Sequence, residues 1–297
     1  METRSAWSIG PRTAFWAAVI LAIMALGWFI CATPTSAQTA STTKKSVETY
    51  YFLVFSKPMP GTEDEYNKWY TGQHQLDVVS IPGFMTAQRY VVAENQLRMS
   101  KTLPKYLVSY KIVTDDLPAV FAEVRRRLQT GETKMSPTFD GKTSVSFTYR
   151  AIQPVIYHKG EQPKLAGGDV HTYAQIVFSN PTTPAQEDEY NRWYRDQHLP
   201  DVVSAPGWVH AQRFVLSDVQ SSTKAQWPYK YLAMFEIVTD DWPARILDFK
   251  RIGPTQSKSD AMGPSLGYTY MTMGPAIDGD KVRADRARAK SSLTSSK

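Results

Sequence analysis

The 297-residue sequence has a single cysteine, Cys31. One thiol excludes a disulfide framework, a Cys-x-x-Cys redox pair and any zinc or iron–sulfur centre built from cysteine. No serine nucleophile elbow, phosphate-binding loop or Gly-x-Gly-x-x-Gly fingerprint is read, which disfavours serine acyl transfer, nucleotide hydrolysis and hydride transfer from NAD. Histidine is scarce as well, five in all, and no local spacing among them signals a metal. An excess of charge is also missing where it would count. The net charge of +6 and pI near 9.2 suggest a nucleic-acid ligand, but the first 37 residues hold two arginines against one glutamate, and the stretch from Pro275 holds six basic residues against three aspartates. Only +2 remains for residues 38–274, and the composition argument for nucleic acid goes with it.

What is present falls into parts of different composition. Residues 1–37 read as an export signal: Arg4 and Arg12 precede an apolar run from Ala14 to about Ala32, and Thr35-Ser36-Ala37 supplies small residues for cleavage. The run is close to the length that spans a bilayer, so an uncleaved anchor tethering the chain through residues 13–32 is the other reading. Either places the rest outside the cytoplasm, periplasmic, secreted or anchored facing outward. Residues 38–47 form a polar spacer. Residues 275–297 have no aromatic residue and no apolar face, and read as a disordered basic tail.

Between them lies an internal repeat. Residues 63–89 recur at 187–213 with 18 of 27 positions identical, and Lys105–Asp116 recurs at Lys230–Asp241. Repeat 1 spans 48–157 and repeat 2 spans 171–274, joined by a linker at 158–170. Each copy reads strand, helix, strand, strand, helix, strand, with acidic residues opening the first helix and Pro82-Gly83 or Pro206-Gly207 turning into the second strand. The expected fold class is α+β: tandem ferredoxin-like βαββαβ units whose bare sheet faces pack together as an intrachain pseudo-dimeric α+β barrel, helices outside and a cavity between the sheets.

Chemistry-bearing residues recur with the repeat. Tyr70 and His74 are four apart and share a helix face, and Asp77 follows three residues on, placed to orient the imidazole. In the second copy the set is Tyr194, His198 and Asp201, and Pro200 predicts that the helix ends near His198. Arg89 and Arg213 stand at corresponding points of the next strand, suited to a carboxylate or an oxyanion. One reading makes the histidines acid/base groups, the aspartates orienters and the arginines electrophiles. The other makes the same set a structural network that holds helix to sheet in both copies. Tyr66, Trp69, Tyr190 and Trp193 read mainly as packing, with Trp69 and Trp193 kept beside Tyr70 and Tyr194 as candidate substrate contacts. The copies also differ in polar positions, Thr86 against His210 and Lys111 against Glu236, so the two halves of the cavity are expected to be inequivalent.

The pattern Tyr66-Asn67-x-Trp69-Tyr70-x-x-x-His74-x-x-Asp77, with Pro82-Gly83 and Ala87-Gln88-Arg89 after it, and its second copy resemble the EthD-like group of the dimeric α+β barrel superfamily over about Tyr50 to Met273. The resemblance implies the barrel fold and cofactor-free tailoring of aromatic or polyketide compounds by cyclisation, dehydration, decarboxylation or oxygenation, with the helix histidine near a cavity. Two functions follow as expectations. One is an exported, cofactor-independent lyase or isomerase that moves a proton on a small aromatic or polyketide-like molecule. The other is a non-catalytic small-molecule or partner-binding protein. Haem binding is a third reading, suggested only by distant barrel relatives. No metal, cofactor or nucleic acid is expected, and the pseudo-dimer is a candidate for self-association.

Overall fold

A computed structural model describes residues 45–97, 104–222 and 228–295. The export signal, the tether at 13–32 and most of the spacer lie outside the described residues.

The first half runs β1 (Glu48–Ser56), α1 (Glu63–Trp69), a π-helical turn (Tyr70–His74), α2 (Gln75–Val79), β2 (Phe84–Val92), β3 (Tyr106–Thr114), α3 (Leu117–Thr130) and β4 (Val145–Ala151). A two-residue strand, β5 (Ile156–Tyr157), lies in the connection. The second half runs β6 (His171–Pro181), α4 (Glu187–Trp193), a π-helical turn (Tyr194–His198), α5 (Leu199–Val203), β7 (Trp208–Leu216), β8 (Tyr231–Thr239), α6 (Trp242–Ile252) and β9 (Met262–Thr272). Both α3 and α6 begin alike: Asp116 and Asp241 accept from the backbone N–H of Ala119 and Ala244, and a proline occupies the first turn, where its missing donor costs nothing.

The strands are all antiparallel, in the order β2-β3-β1-β4-β7-β8-β6-β9, and β9 pairs back onto β2. The sheet is therefore closed, an eight-stranded barrel with no free edge along the circuit. Within each half the ladders are long, nine residue pairs between β1 and β3; the seams between halves are short, three pairs at β4–β7 and three at β2–β9. This is the α+β barrel within one chain that the repeat predicts.

Strand alternation sends successive side chains to opposite layers. On β1, Phe52 packs outward beneath α3, its ring 5.4 Å from Phe121, while Leu53 and Phe55 point into the barrel. At one end the interior is filled with rings: Phe55 lies 6.2 Å from both Phe178 and Tyr270, and Tyr149 lies 5.8 Å from Phe178. Toward the start of β1 the filling stops and a cavity opens.

Two expectations are corrected. Pro200 does not end the helix, since Leu199 is helical (φ −64°, ψ −45°) and α5 continues to Val203. A proline ring ordinarily presses on the carbonyl four residues back; the wider π turn just before it moves those carbonyls away. The same turn occurs in the first half, where Leu76 replaces the proline, so the proline exploits the turn and does not create it. Nor is the segment after Pro275 a disordered tail. It forms β10 (Ile277–Asp278), paired with β2, and α7 (Gly279–Ser295). With no apolar stripe, α7 packs one valine, Val282, against the first-half core and otherwise docks by polar means: Arg283 Nη1 donates to the carbonyls of Val79, Ile81 and Phe84 at 3.0, 3.2 and 2.8 Å, and Arg286 Nη2 donates to Asp77 Oδ1 at 2.6 Å. One guanidinium nitrogen thus caps three carbonyls at the end of α2 and in the turn into β2, of which that of Ile81 also accepts from the Phe84 N–H at 3.1 Å. No described helix is long and apolar enough to cross a membrane.

The docking leaves no room at Gly279, where an added Cβ would collide with the carbonyl oxygens of Phe84 and Val79. Gly279→Ala is expected to cost on the order of 1–3 kcal/mol, read as a lower thermal midpoint together with earlier proteolysis within residues 279–295; unchanged values of both would mean that the helix is not held there.

Candidate functional site

The repeated His/Asp/Arg sets lie in the helix layers, on the outer side of the sheet. Arg89 is 1% exposed, its guanidinium carbon 4.8, 5.3 and 5.6 Å from the ring centres of Tyr70, Tyr106 and Tyr66. It donates to Asn67 Oδ1 at 2.8 Å and Thr71 Oγ1 at 2.5 Å. Arg213 repeats this between Tyr194, Tyr190 and Tyr231, 4.3 to 5.2 Å away, and donates to Asn191 Oδ1 at 2.9 Å. Neither arginine meets an aspartate. Asp77 is taken by Arg286, and Asp201 accepts from the backbone N–H of Ser257 at 2.8 Å.

The π turns account for the histidines. A turn one residue wider than α brings positions five apart into register, and the rings of Trp69 and His74, like those of Trp193 and His198, lie 4.6 Å apart. Tyr70 and Tyr194 meet the same imidazoles edge-on at 4.9 Å. Burial pushes the His74 imidazole down to about 4, with the nearby Asp77 charge only partly opposing it. A histidine held neutral in this way is not the cationic general acid that a helix-end position suggests. The structure brings each His, Tyr and Trp together as a helix-layer cluster; it does not bring them to the space between the sheets.

That space is a cavity of about 400 Å³. Its polar lining includes Tyr51, Tyr90, Ser109, His210 and Glu236, with Phe214 and Met234 beside them. His210 and Glu236 are direct cross-strand partners on β7 and β8, and His210 Nε2 lies 3.5 Å from Glu236 Oε1. The register slips between Trp208 and His210, a β-bulge that leaves Trp208 in the helix layer and turns His210 inward. A matching slip between Phe84 and Thr86 sets Thr86 opposite Lys111. The two halves thus present different pairs at one register position.

Electrostatics separate these groups. The hydrogen bond from His210 holds the Glu236 carboxyl below its ordinary range. Burial, aided by the Glu236 charge, raises the Tyr51 phenol; burial also raises Tyr90, whose hydroxyl lies 3.4 Å from Ser109 Oγ. Near neutral pH the cavity therefore offers an ionised carboxylate beside protonated phenols. The amides of Gln88 and Gln212 are already engaged, on the carbonyls of Arg89 and Gly274 and of Gln153. Among the described residues no three His, Cys, Asp or Glu side chains gather to hold a metal ion.

His210 and Glu236 are the functional candidates that the motif reading passes over. Their signal is the polar asymmetry between copies. A further stretch, Gly263-Pro264-Ser265-Leu266-Gly267, does spell Gly-x-Ser-x-Gly, but it runs along β9 with Ser265 opposite Ser179 of β6. A nucleophile elbow needs a strand-to-helix turn, and none is there.

No family model matches the chain, and no curated protein matches it. Among solved structures it is similar to a candidate monooxygenase from Fusobacterium nucleatum, 11% identical over 78% of this chain and 95% of that one, with a TM-score of 0.46. It is also similar to an anthrone oxidase-like protein (12%, 79% and 94%, TM-score 0.45) and to a variant of the chlorite dismutase of Candidatus Nitrospira defluvii (11%, 81% and 95%, TM-score 0.44).

His74 gives a pH test of the helix layer. Its proton affinity is lower folded than unfolded, so its contribution to stability is complete above about pH 6.5 and is lost as pH falls toward 4. Wild type is expected to lose on the order of 2 kcal/mol between pH 7 and 4.5 from this group, measured by urea unfolding. His74→Asn is expected to flatten that part of the profile, and an unaltered slope would refute the assignment.

Proposed function

We propose that the protein is a cofactor-independent enzyme of the lyase or isomerase type, which moves a proton on a small, largely apolar, aromatic molecule held inside the barrel. The observation that carries this reading is the His210–Glu236 pair inside the cavity, with Tyr51 and Tyr90 beside it. At neutral pH this places an ionised carboxylate beside phenols that keep their protons, an acceptor next to hydrogen-bond donors; the lowered proton affinity makes Glu236 a mild base, suited to a C–H bond that is already acidic. Glu236 is the base, taking a proton from a carbon made acidic by an adjacent carbonyl. Tyr51 and Tyr90 remain phenols and donate hydrogen bonds to the oxygen on which negative charge then develops. His210 is the positioning residue that fixes the carboxylate and keeps it ionised. Phe214, its ring 5.0 Å from Tyr51, and Met234 supply the apolar surface for the body of the ligand.

The repeated sets keep the helix layers in place and take no part in this chemistry: Arg89 and Arg213 clamp, Asp77 and Asp201 anchor, and His74 and His198 pack. Export, read from residues 1–37, belongs to the same proposal, with an uncleaved anchor at 13–32 as the alternative to a cleaved signal. An exported enzyme has little access to free nucleotide cofactors, which agrees with proton transfer by side chains alone.

A suitable probe is 2-tetralone, an aromatic ketone with acidic C–H bonds, whose exchange in D2O is followed by proton NMR. Wild type is expected to accelerate exchange over buffer, Glu236→Gln to lower the rate by about 10²-fold or more, and Tyr51→Phe to lower it less. Exchange in folded Glu236→Gln equal to that of wild type would refute the reading, as would no acceleration by wild type across a panel of such ketones.

A further inference from the structure

A second cavity, about 570 Å³ in volume, lies in the helix layer of the first half, with Ser221 and Ser222 of the second half completing its wall, and shares no lining residue with the barrel cavity. Its walls are apolar, formed by Phe52 and Val54 from the outer face of β1, Phe121 and Val124 from α3, and Phe139. Three polar atoms on lining residues, His74 Nδ1, Tyr110 Oη and Thr133 Oγ1, are buried and have no hydrogen-bond partner. A finished core seldom leaves such atoms unmet, because each carries its full desolvation cost.

The opening has its own character. Leu128 and Met135, both lining residues, are 39% and 49% exposed, an apolar lip in contact with water. Arg125 and Lys142 line the same cavity, and among the described residues neither has an ion-pair partner. Their neighbours differ: Arg126 and Arg127 both pair with Glu123 at 2.7 Å. The lip is thus apolar and cationic together.

The second half carries larger side chains at two corresponding positions of its helix layer. Phe249 stands where the first half has Val124, and Trp208 where it has Phe84. Their rings stack at 4.8 Å with 19° between planes, Trp208 is fully buried, and its Nε1 donates to Gln175 at 3.3 Å. The first half has the smaller residue at both positions, Val124 on the cavity wall among them, and the larger one at Phe121, where the second half has Ile246.

We propose that this cavity is a binding site for an apolar monocarboxylate of the fatty-acid class. The hydrocarbon chain lies against Phe52, Phe121, Val124 and Phe139. The carboxylate lies on the side that carries Arg125, Lys142 and Thr133, whose hydroxyl donates to it. His74, neutral and packed against Trp69, adds no charge to the apolar end. The site is independent of the barrel chemistry, and neither depends on the other.

The test uses cis-parinaric acid, a polyene fatty acid that fluoresces on leaving water, titrated into the full chain. Saturable one-to-one binding is expected, displaced by dodecanoate and not by dodecyltrimethylammonium. Val124→Phe, which copies the second half, is expected to weaken binding about tenfold or more, as is the double reversal Arg125→Glu/Lys142→Glu; His210→Ala is expected to bind as wild type. Melting curves establish that each variant is folded. Absence of saturable binding, competition by the cationic amphiphile equal to that by dodecanoate, or retention of affinity in both cavity variants would overturn the proposal. Loss of binding in His210→Ala with retention in Val124→Phe would overturn it too, by placing the fatty acid in the barrel.

Discussion

Each half of this protein is organised around a guanidinium buried without a carboxylate beside it. Arg89 and Arg213 are both about 1% exposed, a situation that is costly unless the charge is spread over many partners. Three tyrosine rings, an asparagine oxygen and, through that asparagine, a further relay supply them. Asn67 Nδ2 donates to Tyr106 Oη, whose hydroxyl donates to Glu63, which is in turn paired with Lys105. The chain from arginine to surface lysine crosses from strand to helix and back, so helix angle, strand register and the first turn of α1 are set together. Glu187, Asn191, Tyr231 and Lys230 repeat it link by link.

That network explains which parts of the sequence were legible. Residues identical between the copies, among them Glu63, Tyr66, Asn67, Tyr70 and Arg89, are those the clamp requires twice; they reveal the repeat, the element order and the barrel. They are also residues whose types invite a catalytic reading, and His74 and Asp77 travel with them. The chemistry we propose sits instead where the copies diverge, at His210 and Glu236 on the inner face. Identity between duplicated halves reports the scaffold that both must build, and polar difference reports the place where only one half is used.

Other features were hidden for separate reasons. A π turn differs from an α turn by one residue of spacing and has no residue-type signature here, since Thr-Gly-Gln in one copy faces Arg-Asp-Gln in the other. The bulge that turns His210 inward is a matter of register, which alternation alone does not show. The helix α7 escapes a search for amphipathic faces because it is held by arginine-to-carbonyl bonds, a glycine contact and a single partly buried valine, Val282. Its approach segment, Gly274 to Ala276, also forms part of the wall of the barrel cavity, so the docking of the last helix shapes that cavity.

Joining both halves in one chain has a consequence for the polarity of the barrel. Two identical chains related by a true twofold axis repeat every charge across that axis, and the interior then has no preferred direction perpendicular to it. Here a lysine at position 111 corresponds to a glutamate at position 236, and a threonine at 86 to a histidine at 210. Covalent linkage releases the two surfaces from mutual copying, and the imidazole and carboxylate that line the space between them come from one half alone. A polar guest entering it has one favourable heading, which a symmetric pair of chains cannot impose.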